Sequence, residues 1–460
     1  MVLTSPLPTD VCDPLLSYQE HRLQTHGIHT LLAQFTDVFG VPKGKYVPVT
    51  QLRTLLHQGV GFSGASVSGT GLPRSGPRAE LYARGDIDGI QLMPWQPGYA
   101  RVVCSGYVAG EAFDACPRQT LQRAEAALAG RGWTLKTGIE PEFFLLKHQA
   151  GRWQAADAAD QLDKPSYDLK SLPRQADFLH ALRSALESWG LDVLQIDHED
   201  APGQYEVNFA FDQALRSADH LLGFKLAAHA LAEARGMVCS WMPKPFADQP
   251  GSGQHFHVSL WAPAPQGFGS VNLFEPADGE DDAGTGLSAL GRQFVAGVLA
   301  HSAALCALAA PTVNSYKRLA AGASRSGTSW APATAHHGPN NRTCTVRTLP
   351  GRFEWRLPDA SANPYLVTAG LIAAGLDGID RQLDPGPACT ADLYLQPDPK
   401  VPPLPTSLGE ALAALAQDEV VQHALGATLS AEFLRLKQAE WQEFQHHVSD
   451  WERARYAAAF

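Results

Sequence analysis

Residues 138–146 read GIEPEFFLL, and this stretch decides how the rest of the sequence is interpreted. Side chains two apart on a β-strand point to the same face, so Glu140 and Glu142 project together beside the apolar run that follows them. Two like charges this close are unfavourable unless a cation lies between them. The stretch therefore predicts either a solvated edge strand or a strand that presents two carboxylates to a metal ion.

A second pair of carboxylates flanks a glycine-containing turn in DHEDAPGQYEVNFAF, residues 197–211. Glu199 precedes the turn, and Glu206 lies within the apolar strand that follows it. An acidic surface turn is the simpler interpretation of Glu199. The apolar neighbours of Glu206 favour partial burial, and a buried carboxylate needs a metal or a cationic partner.

Two histidines share a strand face in PGSGQHFHVSL, residues 250–260. His255 and His257 are again two apart, and Gly251 and Gly253 before them permit a ligand to approach the backbone closely. One histidine alone is more often structural. Imidazole together with carboxylate oxygens suits Mg²⁺ or Mn²⁺ better than a soft metal.

The arginines of the C-terminal half lie near these carboxylates. Glu354 and Arg356 form a third pair of residues two apart, and the remaining arginines of the group are Arg318, Arg342, Arg347 and Arg352. An internal salt-bridge network is one interpretation. The other is a ligand that carries phosphate and carboxylate groups, because arginine meets both in a bidentate geometry.

The combined set contains five glutamates, two histidines and five arginines on adjacent predicted strands. Such a set could hold two or three divalent cations, a nucleotide polyphosphate and a carboxylate substrate, which are the components that phosphoryl transfer requires. The sequence contains no G-x-x-x-x-G-K-[ST] motif, so a P-loop enzyme is excluded.

Composition limits the class of protein. The formal net charge is −11 without basic clusters, which argues against nucleic acid or an anionic membrane as the main partner. Seven scattered cysteines without a C-x-x-C pair favour reduced thiols in the cytoplasm. The N-terminus lacks a secretory signal pattern, and no apolar run reaches the roughly 18 residues that span a bilayer. We therefore expect a soluble cytoplasmic protein.

The composition and residue pattern along the chain predict an N-terminal arm over 1–27, a small β-rich domain over 28–107 and a large α+β domain over 108–460. A Gly/Ser-rich loop is expected over 59–72, and loop composition also covers 262–287. Ser407 and Glu410 predict a capping box at the start of a late helix. The periodic patterns predict helices over 118–130, 174–190, 217–236 and 430–458, and strands over 133–146, 237–243 and 254–261.

Six motifs, taken in order, resemble the glutamine synthetase superfamily over nearly the whole chain. They are GIEPEFFLL, HED with GQYEV, PGSGQHFHVSL, NSYKRL, NNRTCTVR and RFEWRLPDASANPYLVTAGLIAAGLDGI. The flanking text AQFTDVFGVPKGK, MPWQPGYARVVC and HVSDWERARY looks most like the branch called type III glutamine synthetase or glutamate–methylamine ligase. The resemblance implies a small N-terminal β-grasp domain and a large catalytic α+β domain with a curved antiparallel sheet.

The resemblance also implies a role for each matched residue. Glu142, Glu199 and Glu206 would hold one Mg²⁺ or Mn²⁺ ion, and Glu140, His255 and Glu354 the other, within a total of two or three ions per site. ATP, a co-substrate, would contact His257, Ser259 and Arg352. L-glutamate would contact Gly251, Arg318 and Arg356, and the transferred phosphate would face Arg342 and Arg347.

Two positions depart from the ammonia-using members of the family. Those members carry an aspartate where this chain has Ser63, and a glutamate where it has Ser324. The loss of both carboxylates favours a small primary amine such as methylamine over ammonia. Ordinary glutamine synthesis, a longer amine such as a polyamine or ethanolamine, and an inert structural or regulatory relative remain as alternatives.

The family further implies a homo-oligomer of stacked rings, usually a dodecamer of two hexamers, in which the N-terminal loop of a neighbouring subunit completes each active site. Its chemistry proceeds through an acyl phosphate. The side-chain carboxylate of glutamate attacks the γ-phosphate of ATP, and the amine then displaces the phosphate. A carboxylate is a poor electrophile, so phosphorylation supplies the leaving group that the amide bond requires.

Overall fold

The structure is a computed structural model that describes residues 14–265, 267–280, 282–319, 324–401 and 403–460. The chain forms two compact units. The smaller unit extends to Phe113, and the larger contains the rest of the chain together with the short segments Asp37–Val41 and Ser68–Gly71. The smaller unit reaches past residue 107 because a short strand after that point pairs back onto its sheet.

The smaller unit has one sheet with two helices beside it among the described residues. Its elements are α1 Pro14–Thr25, β1 Thr30–Thr36, β2 Pro42–Pro48, α2 Leu52–His57, β3 Val60–Ser63, β4 Glu80–Leu92, β5 Tyr99–Val108 and β6 Glu111–Ala112. The strand order is β2-β1-β5-β4-β3, with β6 paired to β5. The β1–β5 pair is parallel, and the β1–β2 hairpin turns at Phe39 and Gly40.

The larger unit contains a sheet in the order β15-β16-β17-β13-β7-β10-β9. Its strands are β7 Thr134–Gln149, β8 Arg152–Ala155, β9 Val193–His198, β10 Gln204–Phe209, β11 Asp212–Gln213, β12 Val238–Ser240, β13 Gln254–Pro263, β14 Ser270–Asn272, β15 His337–Pro339, β16 Val346–Leu349 and β17 Arg352–Trp355. The sheet is antiparallel except for the β15–β16 pair, which is parallel.

The long strand β7 is the centre of this sheet. It pairs with β13 along residues 134–141 and with β10 along 142–144, and the short strands β8, β11 and β12 complete its partners. The β-branched and aromatic content of GIEPEFFLL suits such a strand. The strand pattern predicted for 133–146 is confirmed, and the simple edge-strand interpretation is wrong because both sides of β7 are paired.

Helices pack on the apolar face of this sheet and on one another. They are α3 Pro117–Ala129, α4 Ala176–Glu187, α5 Ala214–Glu233, α6 Ala289–Ala300, α7 Ser302–Ala309, α8 Ser315–Leu319, α9 Pro364–Asp380, α10 Leu408–Leu415, α11 Glu419–Leu425, α12 Ala427–His446 and α13 Asp450–Tyr456. The core helix α9 starts at an Asn363 cap with Pro364 in its first turn. Gly297 on α6 and Gly378 on α9 let these helices meet closely, since a Cβ at Gly297 would lie 2.0 Å from the Ala374 carbonyl oxygen.

Several predicted elements need correction. The loop expected over 59–72 contains β3, which pairs with β4. The helix predicted over 430–458 is broken, because Ser449 and Glu452 form a capping box that starts α13. At α10 the Ser407 hydroxyl does accept from the Glu410 amide. The Glu410 carboxylate, however, accepts from Thr406 rather than from Ser407, so the reciprocal half of the predicted capping box is wrong.

The described cysteines are all outside disulfides, and five of these six thiols are buried. Cys12, the seventh, lies outside the described residues. Within the described ranges no single helix is long and apolar enough to cross a membrane. The pair α6 and α7 together reaches that length, but it is bent by 75° at its break.

Candidate active site

The predicted polar residues meet across four neighbouring strands. In the register of the sheet Glu206 lies opposite Glu142, Glu140 lies opposite His255, and His257 lies opposite Glu354. Residues directly opposite each other on antiparallel strands project to the same face. The carboxylates and imidazoles therefore form one patch, which we call the site floor: Glu140, Glu142, Glu206, His255, His257 and Glu354.

The histidines of the site floor already face carboxylate oxygens. His257 Nε2 lies 3.1 Å from Glu140 Oε1, and His255 Nδ1 lies 3.4 Å from Glu354 Oε1. The other ring nitrogen of His255 is buried without a hydrogen-bond partner. Burial and the nearby Arg356 hold the pKa of His255 well below its usual range. A neutral imidazole with an unpartnered nitrogen is a group ready to bind a metal.

Glu354 is the carboxylate that Arg347 and Arg356 share. Arg347 Nη1 donates to Glu354 Oε2 over 2.9 Å, and Arg356 donates to Glu354 Oε1. Burial by itself would raise the pKa of Glu354, but Arg356 and then the two histidines and Arg347 outweigh it, and the pKa is lowered. Glu354 is therefore ionised, and it is almost wholly buried at 1% exposure.

Glu142 is fixed by neutral donors. Its Oε2 accepts from the Gly253 amide over 2.9 Å and from Gln204 Nε2 over 2.9 Å. A Cβ at Gly253 would lie 2.6 Å from His255 Nε2 and 2.9 Å from Glu142 Oε1, so only glycine fits there. Gly253 thus brings a backbone donor to the Glu142 carboxylate.

Glu199 and Glu206, near Glu142, are buried carboxylates that repel one another. Burial raises the pKa of Glu206 well above its usual value, and Glu199, Glu140 and Glu142 raise it further. Burial, then Glu142 and Asp197, raise the pKa of Glu199 to about 8. Buried carboxylates that raise one another's pKa without a compensating cation are the arrangement that a divalent ion relieves.

Ligand atoms in the described part of the chain form two groups that could hold a metal ion. One is Glu140, His257 and Glu354, and the other is Glu140, Glu206 and His255, with the atoms of each group within 4.8 Å of one another. These groups divide the residues differently from the sequence expectation, which placed His257 at ATP. Oxygen ligands with one imidazole fit Mg²⁺ or Mn²⁺, so the donor set suits the ions that the resemblance implied.

The arginines expected to bind glutamate lie at one end of the site floor. Arg318 is buried and donates to the carbonyl oxygens of Leu357 and Arg356 over 3.0 and 3.1 Å. Arg356 also donates through Nε to the Arg342 carbonyl oxygen. A Cβ at Gly251 would lie 2.9 Å from Arg318 Cγ, so this glycine lets Arg318 pack against the loop.

One cavity of about 690 Å³ joins these groups. Eleven of the residues predicted from sequence line it, and they are Glu140, Glu142, Glu199, Glu206, Gly251, His255, Arg318, Arg342, Arg347, Glu354 and Arg356. A mixed set of carboxylates, arginines and a histidine in one cavity can hold cations beside an anionic ligand.

A second cavity of about 480 Å³ continues past the site floor. It is lined by His257, Ser259 and Arg352, which were predicted to contact ATP, and by Glu140 and Arg347, which also line the first cavity. Phe211 and Trp261 stack at its edge with ring centroids 6.3 Å apart. The Trp261 indole donates to the Ser259 hydroxyl over 2.8 Å. An aromatic edge beside cationic and hydroxyl groups suits a base at one end and phosphates at the other.

The two altered amine positions lie in different compact units. Ser324, in the larger unit, donates to the Thr328 carbonyl oxygen over 2.6 Å and lies 2.8 Å from the Ser326 hydroxyl. Ser63, in the smaller unit, is exposed at the end of β3, where its hydroxyl accepts from Ser66. Each hydroxyl is thus engaged locally.

Among the residues of the first cavity that the sequence did not single out are Tyr167, Asp200, Gln204 and Trp330. Asp200 accepts from Ser166 Oγ over 2.7 Å and from the Trp330 indole over 2.9 Å. Tyr167 and Trp330 both have positive φ, at 62° and 53°. Asp200 belongs to the HED motif, so the sequence could have indicated it. No pattern indicated the two aromatic residues, because each lies in an irregular segment.

Comparisons with known proteins identify the family of the chain. Residues 114–456 match the family of the glutamine synthetase catalytic domain. A glutamate–methylamine ligase of Methyloversatilis universalis is 45% identical over 449 residues, covering 96% of this chain and 99% of the relative. A glutamine synthetase of Rhizobium meliloti is 38% identical over 430 residues, covering 93% and 96%. A solved structure of GmaS in complex with ADP is similar with a TM-score of 0.88 and 37% identity, covering 95% and 99%. The fold, the site floor and these matches together place the chain in the glutamine synthetase family.

Proposed function

We propose that the chain is an ATP-dependent ligase that joins L-glutamate to a small primary amine, with methylamine preferred, through γ-glutamyl phosphate. The observation that carries this proposal is a contrast between the two cavities and position 324. The carboxylates, histidines and arginines expected for ATP, metal and glutamate line the first cavity or the adjoining one, whereas position 324, outside both linings, carries a serine hydroxyl bound to its own loop.

Two or three Mg²⁺ or Mn²⁺ ions would be held by Glu140, Glu142, Glu199, Glu206, His255 and Glu354. When bound, such ions neutralise charge on phosphate oxygens and so lower the barrier to phosphoryl transfer. The geometry does not assign each ligand to one ion, because the ligand atoms of Glu140, His257 and Glu354 also lie within 4.8 Å of one another.

The nucleotide would occupy the second cavity, with His257, Ser259 and Arg352 as its contacts. L-glutamate would lie against Gly251, with Arg318 and Arg356 binding its carboxylates. Both arginines already use some donors on backbone carbonyls, and these bonds fix the direction of the guanidinium groups. A fixed guanidinium loses little freedom when a carboxylate arrives.

The phosphate that moves would pass between Arg342 and Arg347. Arg347 is held by Asn340 and Glu354, so its charge is positioned before the reaction. Preorganised charge stabilises the transferring phosphoryl group without reorganisation. The neutral amine then attacks the γ-carbonyl carbon, the bond to the phosphate oxygen breaks, and inorganic phosphate leaves with the proton that the nitrogen gives up.

Methylamine is favoured because the two carboxylates that serve ammonia are replaced by Ser63 and Ser324. The serines remove negative charge and side-chain volume. We further propose that the enzyme works in the cytoplasm as a homo-oligomer, a dodecamer of two hexameric rings, in which the neighbour's N-terminal loop brings Ser63 to the site.

An amine panel tests the proposal. Purified protein with ATP, Mg²⁺ or Mn²⁺ and L-glutamate should release phosphate when methylamine is added, and mass spectrometry should detect γ-glutamylmethylamide. Methylamine should saturate at a much lower concentration than ammonium. Glu354→Ala should abolish the release. Efficient turnover with ammonium alone would instead establish glutamine synthesis, and no phosphate release with any amine would establish an inert relative.

A further inference from the structure

Trp330 lies in the first cavity but has no part in the roles proposed so far. Its segment, residues 324–330, begins at the altered amine position and is called the amine rim below. The Trp330 backbone adopts a φ of 53°, a conformation that large side chains rarely take. Such a conformation persists where its surroundings impose it, and two hydrogen bonds do so here.

The two hydrogen bonds tie opposite ends of Trp330 to opposite parts of the site. The indole Nε1 donates to Asp200 Oδ2 over 2.9 Å, next to Glu199. The Trp330 carbonyl oxygen accepts from Arg356 Nη2 over 3.1 Å, beside the glutamate-binding group. The ring is therefore held between the carboxylates and the arginines, and it has little freedom to turn away.

An alkylammonium ion needs two kinds of surface. Its charged end is satisfied by carboxylates and by the face of an aromatic ring, while its alkyl end needs an apolar wall. The lining of this cavity is dominated by charged and amide side chains, and Trp330 and Tyr167 supply its aromatic surface. Tyr167 is largely exposed, whereas Trp330 is half-buried and fixed at both ends.

We propose that the indole of Trp330 is the wall of the amine pocket and sets the upper limit on amine size. The inference rests on the proposed function and deepens it. Serine at position 324 leaves the amine rim without a carboxylate there, and Trp330 with Ser329 is the part of the rim that lines the first cavity. The Asp200 bond keeps the wall in place, so Asp200 acts here as a support for the ring.

Two substitutions separate the wall from its support. Trp330→Ala removes the indole. Trp330→Phe keeps an aromatic ring but cannot donate to Asp200. In Trp330→Ala the kcat/KM ratio of ethylamine or n-propylamine to methylamine should rise about 10-fold per added methylene, the usual discrimination of an apolar wall. In Trp330→Phe the ratios should rise less than in Trp330→Ala, because an aromatic ring remains but is no longer held by Asp200.

Trp153→Ala, at an exposed tryptophan on β8, is the matched control and should change no ratio. Thermal stabilisation by Mn²⁺ with ADP verifies that each variant is folded and binds nucleotide. If Trp330→Ala lowers turnover of all amines equally and leaves their ratios unchanged, the wall is refuted.

The same series separates this inference from the proposed function. If the unaltered enzyme prefers ammonia, the proposed function fails, but the wall still predicts that Trp330→Ala shifts preference toward larger nucleophiles along ammonia, methylamine and ethylamine. If methylamine is preferred and the variant shows no shift, the wall alone fails.

Discussion

The site floor and the amine rim differ in how they are held. The site floor lies on β7, β10, β13 and β17, where every functional side chain has a cross-strand neighbour in a hydrogen-bonded ladder. The amine rim is an irregular segment held by hydroxyl groups that donate to the Thr328 carbonyl oxygen and by the two bonds of Trp330.

The difference separates two parts of the function. Ladder geometry holds most of the groups that we propose to bind metal and nucleotide. A loop with a few local hydrogen bonds can change its residues without disturbing the sheet. The site floor should therefore tolerate almost no substitution, whereas substitutions in the amine rim should redirect activity rather than abolish it.

The largest effect is expected on the site floor. Glu354→Gln keeps the side-chain volume but leaves Arg347 and Arg356 without their shared anion. Phosphate release should fall roughly 100- to 1,000-fold, the range for removing one preorganised charged group. Glu443→Gln, at an exposed carboxylate on α12, is the control. Retention of more than about a third of the activity would contradict the central place given to Glu354.

The second-largest effect is expected from the repulsion between the carboxylates of Glu142 and Glu206, which lie opposite each other. At 100 times its dissociation constant, Mn²⁺ should add about 2.7 kcal/mol to the free energy of unfolding. Glu206→Gln removes one of two carboxylates that lie directly opposite. The metal-free variant should be as stable as the parent or more so, by about 0.2–1 kcal/mol, and it should gain less from Mn²⁺. Urea titration with and without Mn²⁺ measures both. A variant that is less stable without metal, or equally stabilised by it, would show that the carboxylates do not share an ion.

The amine rim should respond by changing preference. Ser324→Glu restores a carboxylate where ammonia-using members have one, and kcat/KM for ammonium relative to methylamine should rise about 10-fold, as for other single-contact changes in specificity. Ser326→Glu, at a neighbouring hydroxyl that reaches the same Thr328 carbonyl oxygen, should leave the ratio unchanged. Equal changes in both variants would attribute the effect to charge in general.

The smallest effect lies outside both regions. His301 contacts Asp418 over 2.6 Å and Asp377 over 3.0 Å, and Arg381 also contacts Asp377. Burial lowers the pKa of His301, but the two carboxylates outweigh it and the pKa is raised. The folded state thus holds the proton more tightly than the unfolded state, whose pKa is about 6.5.

The His301 contribution is therefore complete below pH 6.5 and is lost as pH rises through the raised value. Its size follows from the upward shift of the His301 pKa, at about 1.36 kcal/mol for each pKa unit. Urea denaturation of the parent and of His301→Asn at pH 6 and pH 9 measures the difference, which should shrink at the higher pH. Amine ratios should not change, since the contact is remote from both regions. A constant difference would contradict the protonated bridge.

The site floor was predictable because strands repeat every two residues. The two-residue spacing indicates a shared strand face for Glu140 with Glu142 and for His255 with His257. The pairing of β7 with β13 then places these faces side by side. The amine rim was not predictable, since nothing in the letters around Trp330 indicates a positive φ or a bond to a residue as distant in sequence as Asp200. Local signals also misled at the chain end, where Ser449 starts a new helix inside an otherwise helical pattern.

The pairing of β7 along both edges determines how its amide protons exchange with solvent. Amide protons near Glu140 and Glu142 can exchange with solvent only when neighbouring strands separate, so their exchange should follow opening of the whole unit rather than local fraying. The residues proposed to perform the chemistry are thus carried by the part of the sheet expected to open last, and the proposed choice of amine is left to a segment outside that ladder.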